Sequence, residues 1–387
     1  MVNDAGGAKK IIHVNQYGCY KGGVENYIRE IAENMHEYEH HLLYAFDGDD
    51  DYLRIFAGAY DFLQKENKRI EEAVLKINPD HLIVYNIGNK SMKPFFALRD
   101  RMGFKIIKSI HDYGMIYTGT GYNRLTLQRM HDPVGWYSIS GCIKRDAYTR
   151  KIKFENIWGK KELLAEVNEA DAIEIHTEDM RRTLTRNDIR ADKMYWNPPW
   201  AKKIEGPAIE PQRDTILFVG NLIRGKGLYL LLKALKRVNR HYSLMVAGDG
   251  YQRKELERYA AAQKVNASFL GRVTKERLTK LYRSSLFMVL PSILEPFGFV
   301  IVEAMSHKRP VIAFNTGGVS ETIQDSITGY LIKPFDLNEM ARKIEYLLEN
   351  PGMALEMGQK AYELFLSKFT FEQHLQRLCE KLLELES

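Results

Sequence analysis

Cysteine is scarce in this 387-residue chain: Cys19, Cys142 and Cys379 are three, odd in number and far apart. That argues against a disulfide framework and for a reducing compartment. Long apolar runs are missing as well. Stretches such as Leu286–Leu290 fall far short of the roughly 20 residues a membrane-spanning helix needs. The opening residues, Met1-Val2-Asn3-Asp4-Ala5-Gly6-Gly7, lack the basic-then-apolar order of a secretory signal, so a cytoplasmic chain is the expectation. No low-complexity segment or short repeat interrupts the sequence. With 45% hydrophobic and 27% charged residues, the composition excludes a disordered or collagen-like chain. The length is too great for one ordinary compact domain and suits two.

The net charge of +6 is unevenly placed. Between Lys90 and Lys161, fifteen Lys and Arg stand against five Asp and Glu. A surplus confined to one segment points to a basic surface. The segment carries no recognised nucleic-acid motif, so nucleic acid is not an expected partner.

Apolar β-rich runs alternate with amphipathic stretches, the pattern of α/β domains with parallel sheets. Strands are expected at Ile11–Asn15, His41–Phe46, His81–Asn86, Lys105–His111, Ala172–His176 and Met194–Trp196 in the first half. In the second half they are expected at Thr215–Gly220, Ser243–Ala247, Ala267–Leu270, Leu286–Leu290, Val311–Phe314 and Tyr330–Ile332. Between the sets, Asn197-Pro198-Pro199-Trp200 and the Pro- and charge-rich residues up to Pro211 read as a linker. The reading is two doubly wound domains facing across a cleft: residues 1–197, a linker at 198–212, residues 213–366, and a last helix over 367–387 that packs back toward the first domain.

In such sheets ligands bind beyond the carboxyl ends of strands. Four strand ends carry informative residues. The strongest is Glu295-Pro296-Phe297-Gly298-Phe299-Val300-Ile301-Val302-Glu303. Pro296 suits a helix start, and Gly298 permits close backbone approach. The N–H groups around Phe297 to Val300 would face an anion, favoured by the helix dipole. Glu303, a turn into the helix, could accept two neighbouring hydroxyls, and Glu295 would reach another part of the same ligand. Phosphate plus polyol describes a nucleotide sugar. The plainer reading makes Glu295 a helix-stabilising acid and puts Glu303 on a solvent face.

The second strand end, Gly220-Asn221-Leu222-Ile223-Arg224-Gly225-Lys226-Gly227, supplies Arg224 and Lys226 for phosphate. It matches the ATPase phosphate loop until its eighth position, where Gly227 replaces the Ser or Thr that holds magnesium. The third, Lys21-Gly22-Gly23-Val24-Glu25, lacks the G-x-G-x-x-G spacing of a dinucleotide fold, so a nicotinamide cofactor is disfavoured. The fourth ends in His111, which faces the expected cleft. His36-Glu37-Tyr38-Glu39-His40 is a literal zinc-protease H-E-x-x-H, but it falls where a helix should be ending. Asp47-Gly48-Asp49-Asp50-Asp51 reads as a solvated loop rather than a metal-diphosphate site.

Taken together, these residues resemble family four of the retaining glycosyltransferases, of GT-B fold. The E-x-x-x-x-x-x-x-E run from Glu295 to Glu303 carries most of the resemblance. Gly248-Asp249-Gly250, Gly271-Arg272-Val273 and Asn315-Thr316-Gly317-Gly318-Val319-Ser320-Glu321 follow in the family's order. The resemblance implies a metal-independent enzyme with no cofactor, moving a sugar from a nucleotide donor to a hydroxyl acceptor. Glu303 would bind the donor ribose. Glu295 and the amides of Phe297, Gly298, Phe299 and Val300 would hold the sugar and its phosphate. Lys226 would clamp the diphosphate, Val273 would pair with the base, Gly22 and Gly23 would approach the phosphates, and His111 would contact the sugar. Asn221 stands where the family usually has Arg, and Arg224 is the candidate to replace that charge. The basic segment belongs to the acceptor side. Its interspersed aromatics (Phe95, Phe96, Tyr113, Tyr117, Tyr122, Trp136 and Trp158) suit a glycan or lipid-linked acceptor at the inner face of a membrane. The alternatives are a GT-B sugar-nucleotide epimerase and a non-catalytic polyanion-binding protein.

Overall fold

The computed structural model describes residues 8–20, 22–62, 66–88, 90–112, 143–145, 152–154, 157–204 and 210–387. Strands form where β-branched and apolar residues run together: β1 (Lys9–Gly18), β2 (Tyr38–Gly48), β3 (Gly58–Asp61), β4 (His81–Val84) and β5 (Lys105–Ser109). A small antiparallel hairpin follows, β6 (Ile143–Arg145) with β7 (Ile152–Phe154). Then come β8 (Ala172–Ile175), β9 (Met194–Trp196), β10 (Thr215–Val219), β11 (Ser243–Ala247), β12 (Ala267–Gly271), β13 (Phe287–Leu290), β14 (Val311–Phe314) and β15 (Gly329–Ile332). Two sheets result, ordered β3-β2-β1-β4-β5-β8-β9 and β12-β11-β10-β13-β14-β15. All their pairings are parallel.

Helices cover both faces of each sheet, so strand residues such as Ile11, Ile12, Phe218 and Val289 are fully buried. Each such side chain stabilises its domain by roughly 1.5–3 kcal/mol through removal from water. The twelve strands expected from sequence all form, with ends moved by up to three residues. The edge strand β3, Gly-Ala-Tyr-Asp, was not foreseen, because four half-buried residues carry no apolar run.

Three local expectations are corrected. The helix after β13 is Phe299–Ser306, capped by Gly298 at φ 91°, so Pro296 lies before the cap and does not start the helix. The acidic stretch after β2 is not a bare loop: Asp49 caps the short helix Asp50–Leu53 by accepting from the Asp51 and Tyr52 amides. The first helix, Gly23–Asn34, ends before His36, and His40 lies in β2 with its ring nitrogens on His13 and the Met35 carbonyl. His36 and His40 therefore cannot share a helix face.

Strand order reverses between β1 and β4 in the first sheet and between β10 and β13 in the second. Those are the switch points where a crevice opens at the carboxyl edge. The chain returns to the first domain through its last helix, Phe371–Glu386, which opens with a Thr370–Gln373 capping box. Leu378 and Leu382 of that helix pack into the core of the N-terminal sheet beside Ile11 and Ile28. The two crossings lie side by side, the Ala201 amide donating to the Phe369 carbonyl at 3.1 Å.

The two domains touch across the crevice at defined points. Glu321 accepts from the amides of Glu178 and Asp179 at 2.7 and 2.8 Å, capping the helix Glu178–Thr185 from the opposite domain. Lys275 reaches the buried carboxylate of Glu30 at 3.1 Å, and Lys202 of the connecting segment pairs with the same group. These cations outweigh the burial that would otherwise raise the Glu30 pKa, and hold it below the ordinary carboxylate value.

Candidate active site

The loops after β10 and β13 leave adjacent strands at the switch point and are stitched together. The Ile293 amide donates to the Gly225 carbonyl at 2.8 Å. Gly227, at φ 70°, passes so close to Pro291 that a Cβ would stand 1.9 Å from its carbonyl oxygen. This contact brings Lys226 Nζ to 2.7 Å from Glu295 Oε2. Glu295 is buried and Lys226 half-buried. Behind Glu295, the Gly318 amide donates to its carbonyl at 3.1 Å, and Gly317 at φ 58° crosses over it. The acid expected on the sugar and the cation expected on the diphosphate thus form one ion pair.

Phe299 and Val300 open the helix, where amides lack intrahelical acceptors. Phe297 is buried against Phe369, and the Phe299 ring packs toward the N-terminal core. Their side chains are therefore packing elements, and what they offer a ligand is backbone. Glu303 does not lie on a bare solvent face: it accepts from the Tyr282 hydroxyl at 2.8 Å. Burial raises its pKa, opposed by that hydrogen bond and by Lys275. Asn221 and Arg224 are exposed on the loop after β10, and the Arg224 amide donates to the Tyr251 hydroxyl. Val273 is half-buried just beyond β12.

On the opposite domain, Gly22 and Gly23 are exposed at the start of the first helix, and a Cβ at Gly23 would meet nothing within 4 Å. Internal packing does not demand glycine there, which leaves room for a ligand. His111 is joined to the cleft through His176: their rings bond at 3.0 Å, and Thr177 next door donates to the Pro296 carbonyl. Both His111 nitrogens are engaged within the protein, the second by Ser109 Oγ at 2.9 Å. A sugar hydroxyl can reach a ring nitrogen only by displacing one of these partners. Burial, with His176 and Lys108 nearby, holds the His111 pKa well below the ordinary imidazole value.

Sequence reasoning missed Glu174 and Tyr282, and gave Glu321 only as the last residue of the stretch Asn315 to Glu321. Glu174 had a signal, since a lone carboxylate inside the apolar run Ala172-Ile173-Glu174-Ile175 is costly to bury without partners. The basic segment needs correction where it is described. Lys108 is buried on three carbonyl oxygens, Arg101 pairs with Glu71, and Phe95 and Phe96 are core residues. Tyr113, Tyr117, Tyr122 and Trp136 lie outside the described residues, as do Arg150 and Lys151.

Two parallel-sheet domains with phosphate-type loops meeting at a crevice define the GT-B class. Residues 201–364 match the family model of glycosyl transferases group 1. Among known proteins, the chain is similar to alpha-D-kanosaminyltransferase of Streptomyces kanamyceticus, 32% identical over 41% of this chain and 42% of that one. It is also similar to glycogen synthase of Mycobacterium tuberculosis, 30% identical over 49% of this chain and 45% of that one. The chain thus spans half or less of the curated relatives it matches. In fold it resembles sucrose-phosphate synthase from Thermosynechococcus elongatus, with TM-score 0.75, 18% identity and 97% and 99% of the two chains covered. It likewise resembles Anabaena Alr3699/HepE in complex with UDP and glucose, with TM-score 0.74, 16% identity, and 97% and 100% covered.

Proposed function

We propose that this protein is a retaining glycosyltransferase that moves a sugar from a nucleoside-diphosphate donor to a hydroxyl of a glycan or lipid-linked acceptor. The observation that carries this reading is the Lys226–Glu295 pair beside the amides that open the helix Phe299–Ser306. Departure of a nucleoside diphosphate leaves an electron-poor, oxocarbenium-like sugar. Lys226, Arg224 and the helix amides would stabilise the leaving charge, so no metal is required in this reading. The leaving phosphate would serve as base for same-face attack, with Glu295 positioning the sugar. Support for a sugar-nucleotide donor comes from structural relatives with UDP or UDP-glucose bound.

The test is a hydrolysis screen across UDP-, GDP- and ADP-sugars with and without EDTA. Slow hydrolysis of one donor, unchanged by chelator, is expected. Loss of activity with EDTA and recovery with manganese would refute metal independence. An epimerase would instead interconvert the sugar and leave the nucleotide bond intact. Glu303→Ala should raise the donor KM on the order of tenfold, about 1.4 kcal/mol, with kcat little changed. The reason is that ribose contacts are alike in ground and transition states. Equal kinetics for variant and wild type would remove Glu303 from the site.

The membrane part of the reading rests on the Lys90–Lys161 surplus. It makes the protein peripheral at an anionic, inner-facing surface, each well-placed cation contributing about 1 kcal/mol. Binding to phosphatidylserine vesicles that weakens steeply with salt is expected. A wild type that ignores such vesicles at low salt points to a soluble acceptor.

A further inference from the structure

Four hydrogen bonds run in series through the N-terminal domain, from Glu174 to the buried Asn197 carbonyl. The Glu174 carboxyl meets the Ser109 hydroxyl, and Ser109 Oγ lies 2.9 Å from His111 Nε2. His111 Nδ1 lies 3.0 Å from His176 Nε2, and His176 Nδ1 lies 2.7 Å from the Asn197 carbonyl oxygen. Glu174, Ser109 and His176 are each 1% exposed, whereas His111 is partly exposed.

Each bond needs one hydrogen. The Asn197 carbonyl only accepts, so His176 Nδ1 carries a proton. An ionised Glu174, one serine hydroxyl and two neutral imidazoles bring three hydrogens to four bonds. The shortfall would leave two lone pairs opposed in a buried place, at a cost of about 1–3 kcal/mol. We propose that the chain Glu174–Ser109–His111–His176 holds one further proton, shared between the carboxyl and the imidazoles, and that His111 is its outlet to the cleft.

The surrounding groups do not supply the missing hydrogen. The Tyr27 hydroxyl and the Asn197 amide can both donate to the other Glu174 oxygen, at 2.8 and 2.7 Å. Lys108 spends its ammonium protons on the carbonyls of Val84, Tyr85 and Ser109. His374 donates its Nδ1–H to the Pro198 carbonyl, and its Nε2 lies 2.8 Å from the Tyr27 oxygen and accepts from the Asn197 amide at 3.3 Å; the single Tyr27 hydrogen serves Glu174 or His374, not both. The Tyr85 and Tyr195 phenols also face Glu174, and Asp112 acts on Lys108. Burial holds both His111 and His176 below the ordinary imidazole value. Lys108 and the neighbouring imidazole oppose a cation at His111, so in this proposal, with the cleft empty, the shared proton sits between the carboxyl and Ser109 and His111 is the neutral Nδ1–H form.

An anion in the cleft would draw the proton outward. The Glu174 O–H bond breaks as its proton passes to Ser109 Oγ, whose own proton passes to His111 Nε2. The cleft gains an imidazolium with no proton taken from solvent. The value of that charge to a departing diphosphate rests on the donor reading above; the proton count does not.

Glu174→Gln is the discriminating variant. Its amide nitrogen can donate to Ser109 and its carbonyl can accept from Tyr27 and Asn197, so all four bonds close with no extra proton. It should fold and melt like wild type. The experiment is NMR of the full chain without ligand, carrying 13C-carboxyl glutamate and 15N-histidine, across about pH 6 to 8, where a free imidazole titrates. Wild type should show a protonated carboxyl signal that is absent from Glu174→Gln, with His111 neutral in both. Ser109→Ala should ionise that carboxyl by cutting the relay. A carboxylate at Glu174 beside one imidazolium at His111 or His176 also upholds the count. A carboxylate beside two neutral imidazoles overturns it. The measurement needs no nucleotide, so its failure and that of the donor site, which the hydrolysis screen tests, are separable.

Discussion

Lys226→Ala is expected to lower donor turnover by on the order of 10²–10³-fold, about 2.7–4 kcal/mol of barrier, while the donor KM changes far less. The cation stands 2.7 Å from Glu295 and beside the helix amides, where the leaving group's negative charge grows along the reaction. An interaction stronger in the transition state than in the ground state appears in kcat. The same substitution also exposes a structural role. Glu295 is 6% exposed and would lose its cation, and an unpaired buried charge is destabilising. The melting temperature should therefore fall for Lys226→Ala and recover in part for Lys226→Ala with Glu295→Gln, while turnover stays low in both. Steady-state kinetics and thermal melts on the three proteins separate the two roles. Unchanged kcat in Lys226→Ala would remove the pair from the chemistry.

Gly317→Ala should be among the most damaging single-methyl additions, costing roughly 3 kcal/mol of stability from backbone strain and overpacking together. Gly317 has φ 58°, and a Cβ there would stand 2.0 Å from the Glu295 carbonyl oxygen. The backbone of Glu295 must then move, although no ligand-facing atom has been altered. Donor hydrolysis should fall at least tenfold even at temperatures where the variant is fully folded. Gly352→Ala is the control. Gly352 sits in the helix Pro351–Lys368, where an added Cβ would meet nothing within 4 Å, and the substitution should stabilise by up to about 1 kcal/mol. Equal melting of Gly317→Ala and wild type would show that the crossing can relax.

The interdomain contacts extend the same logic. Glu321 belongs to the stretch Asn315 to Glu321 that follows the family's order in the sequence, and its carboxylate caps a helix of the other domain. A residue noted only for its place in that order thus ties the two domains together.

Sequence by itself determined the two-domain α/β architecture. Fully buried parallel strands need unbroken apolar runs, and loops at their ends need glycine and charge, so both periodicity and punctuation were visible. Glu295, Glu303 and Lys226 stood out as candidates for the same reason: they are charged residues close to glycines in the loops and helix that follow strands. Tertiary structure alone decided which of these residues meet. Lys226 and Glu295 are 69 positions apart, and their contact depends on β10 and β13 being neighbours at the reversal of strand order. His111 was readable as a strand-end histidine, but not as the partly exposed member of a chain whose other groups come from β5, β8, the residue after β8 and the residue after β9. Phe95, Phe96 and Lys108 looked like parts of a surface because sequence reports charge and aromaticity, whereas burial is set by what packs above. Periodicity is a property of consecutive residues and survives in the sequence; pairing across sheets and domains is a property of three-dimensional packing, and does not.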